Sequence, residues 1–175
     1  LSDAPAFPVE QRLKHLGMDK YLEALYALKS YPVPKSHEID EAIVNRIRVG
    51  YYKSRIKRVV ELPLNFEKPS TMGIRKILED ERLKPDRVLI VGDSVKKDIR
   101  IAQELGIVDV WARYGTMVAP ELAAKLNYYS APEIQRRNVS QPGEATYTPT
   151  HILDRFDQII DLIELPEWRR VHGGI

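Results

Sequence analysis

Cysteine is missing altogether from the 175 residues. That excludes disulfide bridges, thiolate metal centres and a cysteine nucleophile, and it is the usage expected of a cytoplasmic chain. Glycine is sparse, nine residues in all, and no G-x-G-x-x-G occurs, so a dinucleotide fingerprint is excluded. No stretch approaches the ~18–20 consecutive apolar residues of a membrane span, and the first residues do not read as a signal peptide. Neither sign of charge dominates: the net charge is +2, which gives no general attraction to nucleic acid or to a membrane surface. None of the four histidines stands at metal-ligand spacing from another. Internal repeats and low-complexity tracts are also absent. With 43% hydrophobic and 30% charged residues, what remains is the composition of a soluble globular protein, long enough for one domain with a sizeable core.

The most informative stretch is 87–116, RVLIVGDSVKKDIRIAQELGIVDVWARYGT. Val88, Leu89, Ile90 and Val91 form a continuous apolar run, the pattern of a parallel strand buried on both faces. Gly92 permits a sharp turn, and Asp93 and Ser94 follow at the strand end. The spacing predicts a helix over 96–105, with Ile99, Ala102 and Leu105 on one face and Gly106 ending it. A further apolar strand is expected over 107–111. Strand, helix and strand of these lengths make a βαβ crossover, whose strand-end carboxylates lie where open α/β sheets bind ligands.

GDSVKKD resembles the fourth motif of the haloacid dehalogenase (HAD) superfamily of Mg²⁺-dependent hydrolases, a Gly-Asp pair with a second aspartate a few residues on. Two further motifs occur in the family's order upstream. Lys68, in FEKPS before a predicted helix over 69–81, resembles the third motif's lysine. Ser2, in LSDAP, resembles the second motif's hydroxyl residue at a strand end, and Asp3 beside it is set aside because the motif places the hydroxyl first. The family's first motif, Asp-x-Asp, supplies the nucleophile, and it occurs nowhere in these residues; Asp93/Asp98 and Asp154/Asp157 have the wrong spacing. The first motif precedes the second in the family, so the resemblance implies that the nucleophile segment lies ahead of Leu1. The implied fold is an α/β three-layer sandwich with a mainly parallel, Rossmann-like sheet, incomplete at its N-terminus. The nucleophile strand would otherwise stand at the sheet's centre, between the second-motif and fourth-motif strands.

The remainder is expected to form a helix over 9–16, strands over 24–28 and 58–62, a helical insertion over 36–57, a helix over 119–126, a loop region over 127–150, a closing helix over 152–165 and a tail from 166. The basic run YYKSRIKR at 51–58 has the charge and rings for nucleic-acid contact, but Glu38, Asp40 and Glu41 offset it, and it reads as a solvated helix end. Gly-Asp-Ser also opens a class of serine hydrolases. Those need an Asp-x-x-His to activate the serine, whereas Thr148 and Arg169 stand three residues before His151 and His172.

By the resemblance, Asp93 and Asp98 are metal ligands for Mg²⁺, a hard cation content with one or two carboxylates plus waters and substrate phosphate. Lys68 and Ser2 are the catalytic residues that hold the phosphoryl group. The implied activity is a phosphatase acting on a small phosphorylated substrate through an aspartyl-phosphate intermediate. Related members run dehalogenase chemistry without a metal pair, so the two aspartates favour phosphate. Lacking the nucleophile, the chain by itself is expected to be inactive. The alternative is a non-catalytic HAD-like binding or regulatory module. Expected partners are the substrate and a second copy of the chain or a complementing N-terminal segment. The 36–57 helix would be at most a minimal lid, since 2–68 is too short for a full cap domain.

Overall fold

The computed structural model describes residues 1–30, 41–116 and 147–163. The chain forms two compact units, Leu1–Leu83 and Lys84–Ile175.

The first unit is built on three parallel strands in the order β1 (Ser2–Pro5), β2 (Ala24–Leu28) and β3 (Arg58–Leu62). The central strand reads ALYAL, and its last four residues are all buried. Because strand side chains alternate, this apolar run must be covered on both faces. On one face Leu25 and Ala27 pack with Ala6, Val9 and Leu13 of helix α1 (Ala6–His15) and with Ile56. On the other, Tyr26, Leu28 and Leu62 pack with Phe66 and with Ile77 of helix α3 (Met72–Asp80). Helix, sheet and helix make three layers, as the sequence predicts. Burying each Leu contributes about 1.5–3 kcal/mol, so β2, which places side chains in both clusters, is a main source of the unit's apolar stabilisation. The Tyr26 hydroxyl lies 3.1 Å from both Asp80 Oδ2 and Glu81 Oε1, and its single proton serves one at a time. Helix α2 (Glu41–Arg48) lies within the expected insertion over 36–57, of which 36–40 fall outside the described residues.

The second unit has a parallel sheet of β4 (Leu89–Gly92), β5 (Val108–Ala112) and β6 (His151–Leu153), with β5 central. Between β4 and β5 run a π-helical turn, Val95–Ile99, and helix α4 (Arg100–Glu104). Among the described residues, the buried apolar side chains of this unit are Ile99, Ile101, Ala102, Ile107, Val110, Ala112 and Leu153. Asp109 is buried among them at 2% exposure and accepts bonds from Gln103 Nε2 (3.2 Å), the Thr150 N–H (2.8 Å) and Thr150 Oγ1 (2.6 Å). These bonds tether the chain entering β6 to the central strand.

The single closing helix expected over 152–165 is corrected. Its first residues pair with β5 as β6, a 3₁₀ turn follows at Phe156–Gln158, and among the described residues the α-helical part is Ile159–Ile163 (α5). The expected helix over 119–126, the loop region up to residue 146 and the tail from 166 lie outside the described residues.

Candidate active site

The GDSVKKDI segment leaves β4 at Gly92 and enters the π-helical turn at Val95. Ser94 stands at the cap in extended conformation, and its Oγ accepts the Lys97 N–H at 3.3 Å. This is the usual service of a serine at a helix start, satisfying a donor that has no partner within the turn. The Ser94 carbonyl accepts both the Asp98 N–H (2.8 Å) and the Ile99 N–H (3.3 Å). The second of these is the wide i→i+5 closure, a geometry found mostly as single turns at functional sites.

The wide turn folds the Asp98 side chain back onto the strand end. Asp98 is only 6% exposed, and its Oδ2 accepts the Ser94 N–H at 3.2 Å. A Cβ at position 92 would come closer than 3.0 Å to the Asp98 Cβ, Cγ and Oδ2. Glycine is therefore required here for close approach, since the Asp98 carboxylate occupies the volume a side chain would need. Asp93 differs in being exposed, with its backbone held from β5. The β4–β5 register pairs Gly92 with Trp111, and the Trp111 indole N–H donates to the Asp93 carbonyl at 3.0 Å. Gly115 lies on the same residue: a Cβ there would stand 2.9 Å from the Asp93 Cβ.

One tight segment thus holds a buried and an exposed carboxylate at the carboxyl end of a parallel strand. The donor set is oxygen only, hard and anionic, which suits Mg²⁺ and not a soft transition metal. Among the described residues there is no group of three or more His, Cys, Asp or Glu side chains that could form an all-protein cage. Two carboxylates nevertheless fit Mg²⁺, which commonly keeps several waters and takes further oxygens from substrate. Asp93 and Asp98 are the residues of this segment that could hold such an ion.

Ser2 and Lys68 belong to the first unit, and they lie on neighbouring segments. The Lys68 N–H donates to Asp3 Oδ1 at 3.0 Å, and a Cβ on Gly73, in the first turn of α3, would stand 3.1 Å from Leu1 Cδ2. Ser2 Oγ accepts the Ala4 N–H at 3.1 Å, a bond that leaves the hydroxyl proton to donate elsewhere. Both side chains are half-buried. Asp3, set aside on motif order, proves to be the tie between the β1 segment and the Lys68 loop. The only sequence signal for it was a short acceptor next to the motif serine. Trp111 was likewise read only as the end of a strand, and Gly115 was given no role, since their approach to Asp93 depends on the strand register.

A family model described as HAD-hydrolase-like matches residues 65–159, more than half of the chain. Similar solved structures include a 2-haloacid dehalogenase from Pseudomonas syringae pv. Tomato DC3000, at 13% identity and a TM-score of 0.40, covering 80% of this chain and 46% of the other. The putative HAD-hydrolase YfnB from Bacillus subtilis, solved bound to magnesium, is 16% identical with a TM-score of 0.41, covering 81% of this chain and 50% of the other. The chain therefore spans about half the length of these structures. No curated protein matches.

Proposed function

Because this chain belongs to the HAD-like hydrolase family, we propose that it is part of a Mg²⁺-dependent phosphatase-type hydrolase acting on a small phosphorylated substrate. The observation that supports this reading is the pair of carboxylates, Asp93 and Asp98, held within one π-helical segment at the end of β4. Bound there, Mg²⁺ would neutralise charge on the phosphoryl oxygens. Asp98, locked by the Ser94 N–H, would keep a fixed oxygen toward the ion, and exposed Asp93 would supply a second. Lys68 would bring its ammonium group to the phosphoryl oxygens, and the Ser2 hydroxyl would donate to one of them.

An aspartyl-phosphate route also needs a nucleophilic aspartate and a second carboxylate as general acid and base. The 175 residues contain no Asp-x-Asp to supply them. On this reading the chain by itself turns over no substrate, and activity belongs to a protein that includes that motif.

The same absence favours a second reading, a non-catalytic HAD-like module that binds a phosphorylated ligand or a partner. Assaying the full-length protein on a panel of phosphomonoesters, with and without Mg²⁺, separates the two. Turnover that needs Mg²⁺ and disappears in Asp93→Asn establishes the hydrolase. No turnover across the panel, with Asp-x-Asp absent from the full gene, establishes the module.

A further inference from the structure

Asp93 is exposed and lies between a strand and a π-helical turn, a place where a side chain is free to wander unless its backbone is fixed. Two contacts fix it, and both come from the segment that follows the crossover helix. The Trp111 indole N–H donates to the Asp93 carbonyl at 3.0 Å. This bond is possible because Trp111 pairs in register with Gly92, one residue before the carboxylate. The bond fixes the plane of the peptide between Asp93 and Ser94, and with it the entry into the turn that carries Asp98. On the other side, the backbone of Gly115 approaches so closely that a Cβ would stand 2.9 Å from the Asp93 Cβ. Real Cβ atoms essentially never come that near, so any side chain at 115 must push Asp93 aside.

We propose that Trp111 and Gly115 are positioning residues for the cation-binding carboxylate of Asp93: the indole holds its carbonyl and the glycine leaves room for its Cβ. The inference rests on the reading of Asp93 as a metal ligand. Neither residue touches the ion; they set the direction of a ligand that does. Groups that orient a ligand typically govern affinity by about ten- to a hundredfold when removed. Trp111→Phe keeps the ring and deletes the donor, whereas Gly115→Ala keeps the donor and adds the intruding methyl.

The test is Mn²⁺ binding to the 175-residue chain, read from the free Mn²⁺ signal in electron paramagnetic resonance, with Mg²⁺ as competitor. Circular dichroism and the thermal midpoint identify which variants keep the wild-type fold. The wild type should bind one Mn²⁺ that Mg²⁺ displaces, and Asp93→Asn should lose it. Trp111→Phe and Gly115→Ala should each bind about tenfold more weakly while keeping the wild-type circular dichroism and a cooperative thermal transition. If one variant fails to fold, the other decides. Wild-type affinity in a folded Trp111→Phe or Gly115→Ala overturns the positioning role while leaving the metal site intact. No displaceable Mn²⁺ in the wild type overturns the metal-site reading itself, and the positioning role with it.

Discussion

Replacing Gly92 with alanine probes the strand end directly. Gly92 does not adopt a positive φ, so alanine there meets no backbone penalty and its effect is purely one of space. The added methyl would overlap the Cβ, Cγ and Oδ2 of Asp98, whose side chain is 6% exposed. Relief requires either a shift of β4 against the π-helical turn or expulsion of Asp98. Overpacking of this kind costs about 1–3 kcal/mol. Expelling Asp98 also strands the Ser94 N–H, a further cost of about 1–2 kcal/mol. A total near 3 kcal/mol, at a urea m-value of about 2 kcal/mol/M, lowers the unfolding midpoint by about 1.5 M. Gly106→Ala is the control. Its Cβ would meet open space, but its φ of +66° makes alanine strained, at about 1 kcal/mol. Gly92→Ala should also abolish Mn²⁺ binding, which Gly106→Ala should not. A Gly92→Ala protein with a wild-type midpoint and wild-type cation affinity would refute the packing argument.

Two further perturbations follow from buried polar groups. Asp109→Ala removes three accepted bonds from a site that is 2% exposed, and should lower stability by about 3 kcal/mol while raising hydrogen exchange in β6 selectively. Burial, and then the Asp80 carboxylate to which it donates, push the Tyr26 phenol above its ordinary 10.0. A raised folded value means that this contribution is complete below about pH 10 and is lost as pH climbs through the folded value. Alkaline unfolding curves should therefore fall more steeply for wild type than for Tyr26→Phe, and parallel curves would contradict the assignment.

Strands β2 and β3 were legible to the residue because β2 is an apolar run with side chains for both faces and β3 is a short β-branched run stopped by Pro63. The helix within 36–57 was legible in kind and not in extent. Its α-helical segment ends at Arg48, and the chain turns back where the Tyr51 N–H reaches the Arg46 carbonyl. The strand β6 could not be read locally. Three residues carry no period, and their place is set by β5 and by Asp109, some forty residues away in sequence. Phe156 and Ile160, apolar residues within the span expected as the closing helix, are 65% and 57% exposed. At the candidate site, Gly92, Asp93 and Asp98 were visible as a motif. The π-helical turn was not, because residue propensities do not distinguish an i→i+5 closure from an α-turn. Trp111 and Gly115 reach Asp93 only through the β4–β5 register, a relation between segments that no single stretch displays.

If the end of β4 is a divalent-cation site, amide NMR of the ¹⁵N-labelled chain during a Mg²⁺ titration will register the ion there. Saturable shifts confined to residues 92–98 and the Trp111 indole N–H, absent in Asp93→Asn, are the predicted result. A titration that leaves those signals still, or moves signals elsewhere in the chain instead, would mean that the ion does not bind at the end of β4.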